Sequence, residues 1–246
     1  MKYAIKVDRL TKTYGRRTAV NNLNLSVPSG TVLGLLGANG AGKSTTLECI
    51  LGTKAPDGGT VSVLGMNPRK HRKQLFQTVG VQFQEASYQD KITVSEICEA
   101  TAALYQAAAD CHKLLKQFGI GDKGKSFVNQ LSGGERQRLF IVLALIPNPE
   151  IVFLDELTTG LDARARRDVW KILAGLKEKG LTIILTSHFM DEVELLCDQI
   201  CILKHGNTVF YGTVKDAVKA SPYEEFEDAY LWFTEEEEEE QKNENI

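Results

Sequence analysis

Two short segments of this 246-residue chain carry the residue types that phosphate chemistry needs. Gly37-Ala38-Asn39-Gly40-Ala41-Gly42-Lys43-Ser44 is a complete GxxxxGKS motif. Its glycines let successive backbone N–H groups curl around a phosphate chain, and the start of a following helix adds its positive dipole end. Lys43 can then reach the β- and γ-phosphates, and Ser44 is placed to hold Mg2+. The second segment is Asp155-Glu156, at the end of the apolar run 151–154. Ligands of open α/β sheets bind at the carboxyl ends of buried strands, which is where this acid pair falls. Asp155 suits the Mg2+ shell, and Glu156 suits a general base polarising the water that attacks a γ-phosphate. Read singly, each segment has a blander explanation: a glycine-rich turn beside a solvated lysine, or carboxylates capping the next segment. The phosphate loop alone leaves kinases, GTPases, motor proteins and transport ATPases all open; together with the acid pair it reads as a site that hydrolyses a nucleotide.

The elements that must position these residues follow from periodicity. Residues 32–36, 151–154 and 181–185 are nearly continuous apolar runs, the pattern of parallel strands covered on both faces, so the fold class is α/β. The phosphate loop follows the first run and precedes a helix-compatible stretch at 45–51, the order such a loop requires, and Thr45 completes the phosphate-binding set. Strict alternation at 22–27 and a similar pattern at 5–7 predict two early antiparallel strands of edge type. Residues 162–179 repeat apolar side chains at helical spacing (Val169, Ile172, Leu173, Leu176), with Asp162 as N-cap and Gly180 at the left-handed C-terminal position. From Thr93 to Phe118 there is no strand signal; a Thr93/Glu96 capping box opens an Ala- and Leu-rich stretch that breaks at Gly119, a helical unit inserted into the sheet domain.

Composition excludes several classes. A chain 43% hydrophobic and 25% charged is an ordinary globular protein that folds without disulfides or metals. Cys49, Cys98, Cys111, Cys197 and Cys201 are odd in number and form no CxxC pair, so they read as reduced, mostly buried small hydrophobes. Six of the negative charges lie in 235–240, so the net charge of −3 becomes +3 for the remainder, too mild a balance for a nucleic-acid binder. That acidic run, 235–246 with its flank, is expected to be a solvated, disordered tail. No apolar run reaches the length of a membrane span and the chain opens on a charged, strand-like segment, so a cytosolic location is expected.

The motif that decides among phosphate-loop proteins is Leu131-Ser132-Gly133-Gly134-Glu135, followed by Arg136-Gln137-Arg138-Leu139. It resembles the LSGGQ signature of ABC (ATP-binding cassette) ATPases. Alone it would be an N-capped helix start; here it precedes a helix running to about Ile146 and lies shortly before the acid pair, as in that family, and it offers a second helix N-terminus able to hold phosphate. The resemblance runs from about Ile5 to Thr234. It implies a core of residues 1–87 and 147–220, comprising an N-terminal antiparallel β subdomain and a RecA-like sheet, with a helical signature subdomain at 88–146 and a docking helix at 221–234.

The resemblance also assigns roles that the residues alone would not. Tyr14, by itself a strand-edge core tyrosine, matches the aromatic that stacks on adenine. Gln84, close to Gln82, resembles the glutamine at the junction of core and helical subdomain that senses Mg2+ and γ-phosphate. His188 matches the histidine that contacts the γ-phosphate, and Leu161-Asp162 matches the loop that communicates across a dimer. Ser132, Gly133 and Gly134 would cover the ATP held by the phosphate loop of a second copy, or of a similar subunit. Glu135 in place of the signature glutamine and Leu157 in place of proline depart from the pattern. The segments His188 to Glu194, Leu196 to Asp198 and Phe226 to Leu231 resemble those of drug, antibiotic or polysaccharide export ATPases. They imply a subunit on the cytoplasmic face of a membrane that powers a separate transmembrane permease. A soluble ABC ATPase of the iron–sulfur assembly type is the alternative, and the exporter-like segments argue against it. Phe226, Tyr230 and Phe233 fall at i, i+4 and i+7, an amphipathic helix expected to dock on the core.

Overall fold

The computed structural model describes residues 2–82, 91–156 and 158–235. Two long strands, β1 (Tyr3–Tyr14) and β2 (Arg17–Pro28), pair antiparallel around a turn at Gly15. The chain then enters β3 (Val32–Leu36), α1 (Lys43–Ile50), β4 (Gly58–Val63), α2 (Arg72–Leu75) and β5 (Val79–Gln82). After α3 (Val94–Ala102) and α4 (Cys111–Gln117) come single 3-10 turns at Gly121–Lys123 and Val128–Gln130, and then α5 (Gly133–Leu145). The remainder is β6 (Ile151–Asp155), α6 (Ala163–Glu178), β7 (Thr182–Thr186), α7 (Met190–Leu196), β8 (Gln199–Lys204), β9 (Asn207–Gly212), α8 (Val214–Ala220) and α9 (Phe226–Thr234).

These elements form two sheets, β2-β1-β4 and β5-β6-β7-β3-β8-β9. In the larger sheet β5 to β8 are all parallel and only β9 is antiparallel, as apolar runs without alternation require. Side chains of one strand serve two cores: Ile151 and Phe153 of β6 pack toward α1 and the smaller sheet, Val152 and Leu154 toward α5 and α6. The sheet is therefore sandwiched between the antiparallel sheet and a helical layer.

One expectation is corrected. The alternating pattern predicts that β1 is an edge strand, yet it is the centre of its sheet, because β4 pairs along its far side from Ile5↔Val63 to Thr11↔Gly58. Both early strands also extend to twelve residues, well past the alternating segments. A register shift between Val7 and Leu10, with Arg9 at φ 49°, breaks the alternation and hides the strand's length from the sequence pattern. The helical reading of residues 93 onward stands: Thr93 accepts the N–H of Glu96 and Glu96 accepts that of Thr93, a complete capping box. α6 begins at its Asp162 cap, whose Oδ1 accepts Ala165 N–H at 2.8 Å. Cys49, Cys98 and Cys201 are buried, whereas Cys111 and Cys197 are half-buried. α9 docks on the core through Phe226, with Tyr230 and Phe233 packed against a cluster that includes Leu36, Ile200 and Ile202.

Candidate active site

Strand β3 ends at Leu36 and the loop from Gly37 bends back to start α1 at Lys43. Gly37 (φ 143°) and Gly42 (φ 108°) have backbone angles that other residues rarely adopt, and both touch neighbouring chain: a Cβ on Gly37 would lie 2.4 Å from the carbonyl of Leu203, one on Gly42 2.3 Å from that of Ala19. The loop is pinned from outside. Gly206 N–H, in the β8–β9 turn, donates to Ala41 O at 3.0 Å, and Arg17 Nη2 donates to Gly40 O at 3.1 Å.

Lys43 is buried inside the loop, and its Nζ donates to the carbonyls of Gly37 (2.6 Å) and Ala38 (3.2 Å). Burial lowers its pKa, while the nearby charges of Glu156 and Asp155 act in the opposite direction. A cleft of about 710 Å3 opens over the loop; its lining includes Tyr14, Arg17, Asn39, Lys43, Glu156 and His188, and also Gly40, Gly42, Ser44 and Thr45. Tyr14 is 43% exposed there, with the ammonium groups of Lys12 and Lys54 each 5.3 Å from the centre of its ring. Ala38, Asn39 and Gly40 are exposed, whereas Gly37 and Ala41 form the buried base of the loop.

Order within the sheet brings the acid pair to the same edge. β6 and β7 are parallel with Asp155 opposite Thr186. Fully buried Thr186 donates its hydroxyl to Asp155 Oδ1 at 2.5 Å and accepts the N–H of Glu156 at 2.9 Å. On the other side Gln82, 5% exposed at the end of β5, accepts Asp155 N–H on its Oε1 at 3.1 Å. Glu156 leaves the strand in a left-handed turn (φ 50°), and its Oε1 lies 2.8 Å from His188 Nε2. Carboxylate, imidazole, buried ammonium and a run of loop amides thus converge on one cleft, an arrangement able to bind a polyphosphate and orient a water toward it.

The signature residues lie elsewhere. Ser132 caps α5, accepting Glu135 N–H on its hydroxyl at 3.3 Å and donating its own N–H to Glu135 Oε2 at 2.9 Å. Glu135 also pairs with Lys123 Nζ at 3.0 Å, and these bonds, that of Ser132 N–H first, hold its pKa down at about 2. Ser132 and Gly133 are exposed and are not among the residues lining the phosphate cleft; a Cβ on Gly134 would meet Leu161 of the chain's own 158–162 turn at 3.6 Å. Asp162 is exposed at the head of α6. Gln84 and Leu157 fall outside the described residues. Sequence reasoning missed Thr186 and Arg17 and named Gln82 only as the neighbour of Gln84; all three join the site through strand neighbours distant in the chain, and the threonine closing the largely apolar run before His188 was the one available signal.

Residues 20–159 match the family model described as ABC transporter. The daunorubicin/doxorubicin resistance ATP-binding protein DrrA of Streptomyces peucetius is 37% identical over 215 residues, 85% of this chain and 65% of that protein. The Nod factor export ATP-binding protein I of Paraburkholderia xenovorans is 38% identical over 214 residues, 85% of this chain and 70% of that protein. The chain therefore spans about two thirds of the length of these curated relatives. Among solved structures, the dimeric post-hydrolysis state of the ATP-binding cassette MJ0796 bound to ADP and Pi superposes with a TM-score of 0.76 at 26% identity, covering 85% of this chain and 98% of that one.

Proposed function

The chain belongs to the ABC transporter family and is an ABC-type ATPase, and from that premise we propose that two copies close on two ATP molecules to power export through a separate membrane permease. The observation that carries the dimer is the separation of the two phosphate-binding helix starts. The loop at Gly37 to Thr45 opens onto the cleft, whereas Ser132, Gly133 and Gly134, at the N-terminus of α5, are not part of its lining. A site that uses both on one ATP needs the signature of another subunit, this protein's second copy or a similar chain.

Within that site the polyphosphate lies along the loop amides, and Lys43 exchanges the carbonyls of Gly37 and Ala38 for phosphate oxygens. Tyr14 offers an exposed ring to the adenine. Ser44 and Asp155 would hold Mg2+ through hard oxygen donors, with Gln84 proposed from the family resemblance as a third; when bound, the ion would supply positive charge to the phosphates. Glu156 takes the proton of the attacking water, and His188, whose Nε2 lies 2.8 Å from Glu156 Oε1, contacts the γ-phosphate. Loss of the γ-phosphate contact on hydrolysis then releases the dimer. Ser132, Gly133, Gly134 and Asp162 act on the partner's ATP.

Export rather than import is supported by the names of the relatives, a daunorubicin/doxorubicin resistance ATP-binding protein and a Nod factor export ATP-binding protein. Among the described residues no helix is long and apolar enough to cross a membrane. The relatives' names, ATP-binding proteins of resistance and export, support a separate permease as the conducting path, with this chain at the cytoplasmic face. The test is Glu156→Gln, expected to keep ATP binding, lower kcat by about 100-fold or more and accumulate an ATP-bound dimer. Recovered from native membranes in mild detergent with ATP, it should bring a multi-span protein with it. Hydrolysis equal to the parent's would refute the general base; recovery with soluble partners alone would replace the transporter reading with the assembly-factor one.

A further inference from the structure

Beneath the exposed His188 lies a buried carboxylate that the hydrolytic scheme does not use. Glu192, in α7, is 2% exposed. Its Oε1 accepts the indole N–H of Trp170 at 2.8 Å. Its Oε2 accepts the hydroxyl of Thr158 at 3.2 Å and also the hydroxyl of Ser187. These donors come from three separate places: Thr158 stands two residues beyond Glu156, Trp170 is in α6, and Ser187 immediately precedes His188. The Ser187 hydroxyl in turn accepts the N–H of Phe189 at 3.0 Å, so the turn carrying His188 is tied on both of its flanks. From α6 the guanidinium of Arg166 lies 4.3 Å from the centre of the Phe189 ring and 5.9 Å from that of Trp170.

A carboxylate is an expensive way to fill this space. Taking it out of water carries a penalty that an apolar residue of similar size would not, and burial accordingly pushes the Glu192 carboxyl up despite its hydrogen bonds. What an apolar residue could not do is fix three polar segments in one orientation, since each bond is directional and a half-made network is worse than none. Two of the three segments adjoin the groups that meet at 2.8 Å across the cleft, Glu156 and His188.

We propose that Glu192 is a positioning residue of the hydrolytic site, holding the loop after Glu156 and the turn before His188 in one frame so that carboxylate and imidazole stay in register. The role rests on the reading that Glu156 and His188 act in ATP hydrolysis, and it is tested by two readouts that separate it from that reading. The first is steady-state ATPase activity of the parent, Glu192→Gln and Ser187→Ala. Both variants should lower kcat by about tenfold, with KM for ATP within about twofold, because the ground-state phosphate contacts lie elsewhere. The second is the NMR signal of the His188 ring, identified by its loss in His188→Ala. It should move in both variants while those of the other three histidines, His71, His112 and His205, stay in place.

If Glu192→Gln does not fold, Ser187→Ala carries both readouts. Unchanged kcat in the variants of an active parent, a rise in KM alone, or a His188 signal that does not move overturns the positioning role and leaves the hydrolytic reading intact. A parent without ATPase activity overturns the hydrolytic reading instead, and the His188 signal then decides by itself whether Glu192 sets the geometry.

Discussion

Replacing Thr186 with valine tests whether the acid pair is held by β7 or merely lies beside it. Valine keeps the shape and burial of the side chain, so the change isolates the hydroxyl. Two bonds are lost: the one donated to Asp155 Oδ1 and the one accepted from Glu156 N–H. A hydrogen bond to a charged group contributes about 1.5–3 kcal/mol, and a backbone donor left without a partner costs about 1–3 kcal/mol when buried. Asp155 and Glu156 are each half-buried, so water replaces part of what is lost and the net cost falls near the lower end, about 3 kcal/mol. For a chain of this size that lowers Tm by about 6–12 °C. Because the loop turns at Glu156 just after the lost bond, the carboxylate should also drift from the attacking water, and displacements near 1 Å cost about 100-fold in rate. Thermal unfolding by circular dichroism and steady-state ATPase assays measure both. Thr186→Ser, which retains the hydroxyl, should stay within about tenfold of parental kcat and lose about 1 kcal/mol for the missing methyl. A Thr186→Val protein that melts with the parent, or that melts early yet hydrolyses ATP at the parental rate, would refute the claim that this hydroxyl orients the pair.

Gly42→Ala should abolish tight nucleotide binding, because the new Cβ would lie 2.3 Å from Ala19 O at a φ of 108°; titration with a fluorescent ATP analogue checks it, and parental affinity would contradict the loop geometry. Tyr14→Ala should weaken ATP binding by about 5- to 100-fold, the range expected for loss of one base–aromatic stack, while Tyr14→Phe binds normally. Glu135→Gln retains an acceptor for Ser132 N–H but loses the ion pair with Lys123. Since the folded-state pKa of Glu135 lies at about 2, below its ordinary 4.5, its charge contributes stability above pH 4.5 that is lost as pH falls toward 2. Denaturant midpoints of parent and variant should therefore differ at pH 7 and converge below pH 4.5; a gap independent of pH would exclude the charge as its source.

The phosphate loop, the acid pair and the signature were legible because each is a local run whose neighbours in sequence are its neighbours in space. Gly37 to Ser44 follows one buried strand and starts one helix, and Ser132 with Glu135 closes a capping box three residues apart. What the chain does not write locally is strand order. Thr186 and Gln82 reach Asp155 because β5 and β7 flank β6, and Arg17 reaches Gly40 from the other sheet. β1 was misplaced at an edge for the same reason, since its second neighbour β4 enters the sequence only after the phosphate loop and α1. The helix caps at Thr93 and Asp162 are legible in the sequence because capping is settled within four consecutive residues.

The separation of the two helix starts also bears on how one site could report to the other in the proposed dimer. The signature that would serve the partner's ATP rests on this chain's own 158–162 turn, where Gly134 approaches Leu161. That turn begins two residues after Glu156, the residue proposed to serve this chain's ATP, and it enters α6 through the Asp162 cap. Thr158, within the same turn, is fastened to Glu192 and through it to the residue before His188. A displacement of Ser132 by the partner's nucleotide therefore meets a segment whose one end carries the base and whose side is bonded to the histidine's turn. Because those bonds are buried and directional, that segment is expected to transmit displacement rather than absorb it, and in the proposed dimer hydrolysis at one ATP should be sensitive to occupancy of the other. The ATPase rate of the parent should then rise more steeply than linearly with ATP at low occupancy, and Glu192→Gln should flatten that dependence toward simple saturation.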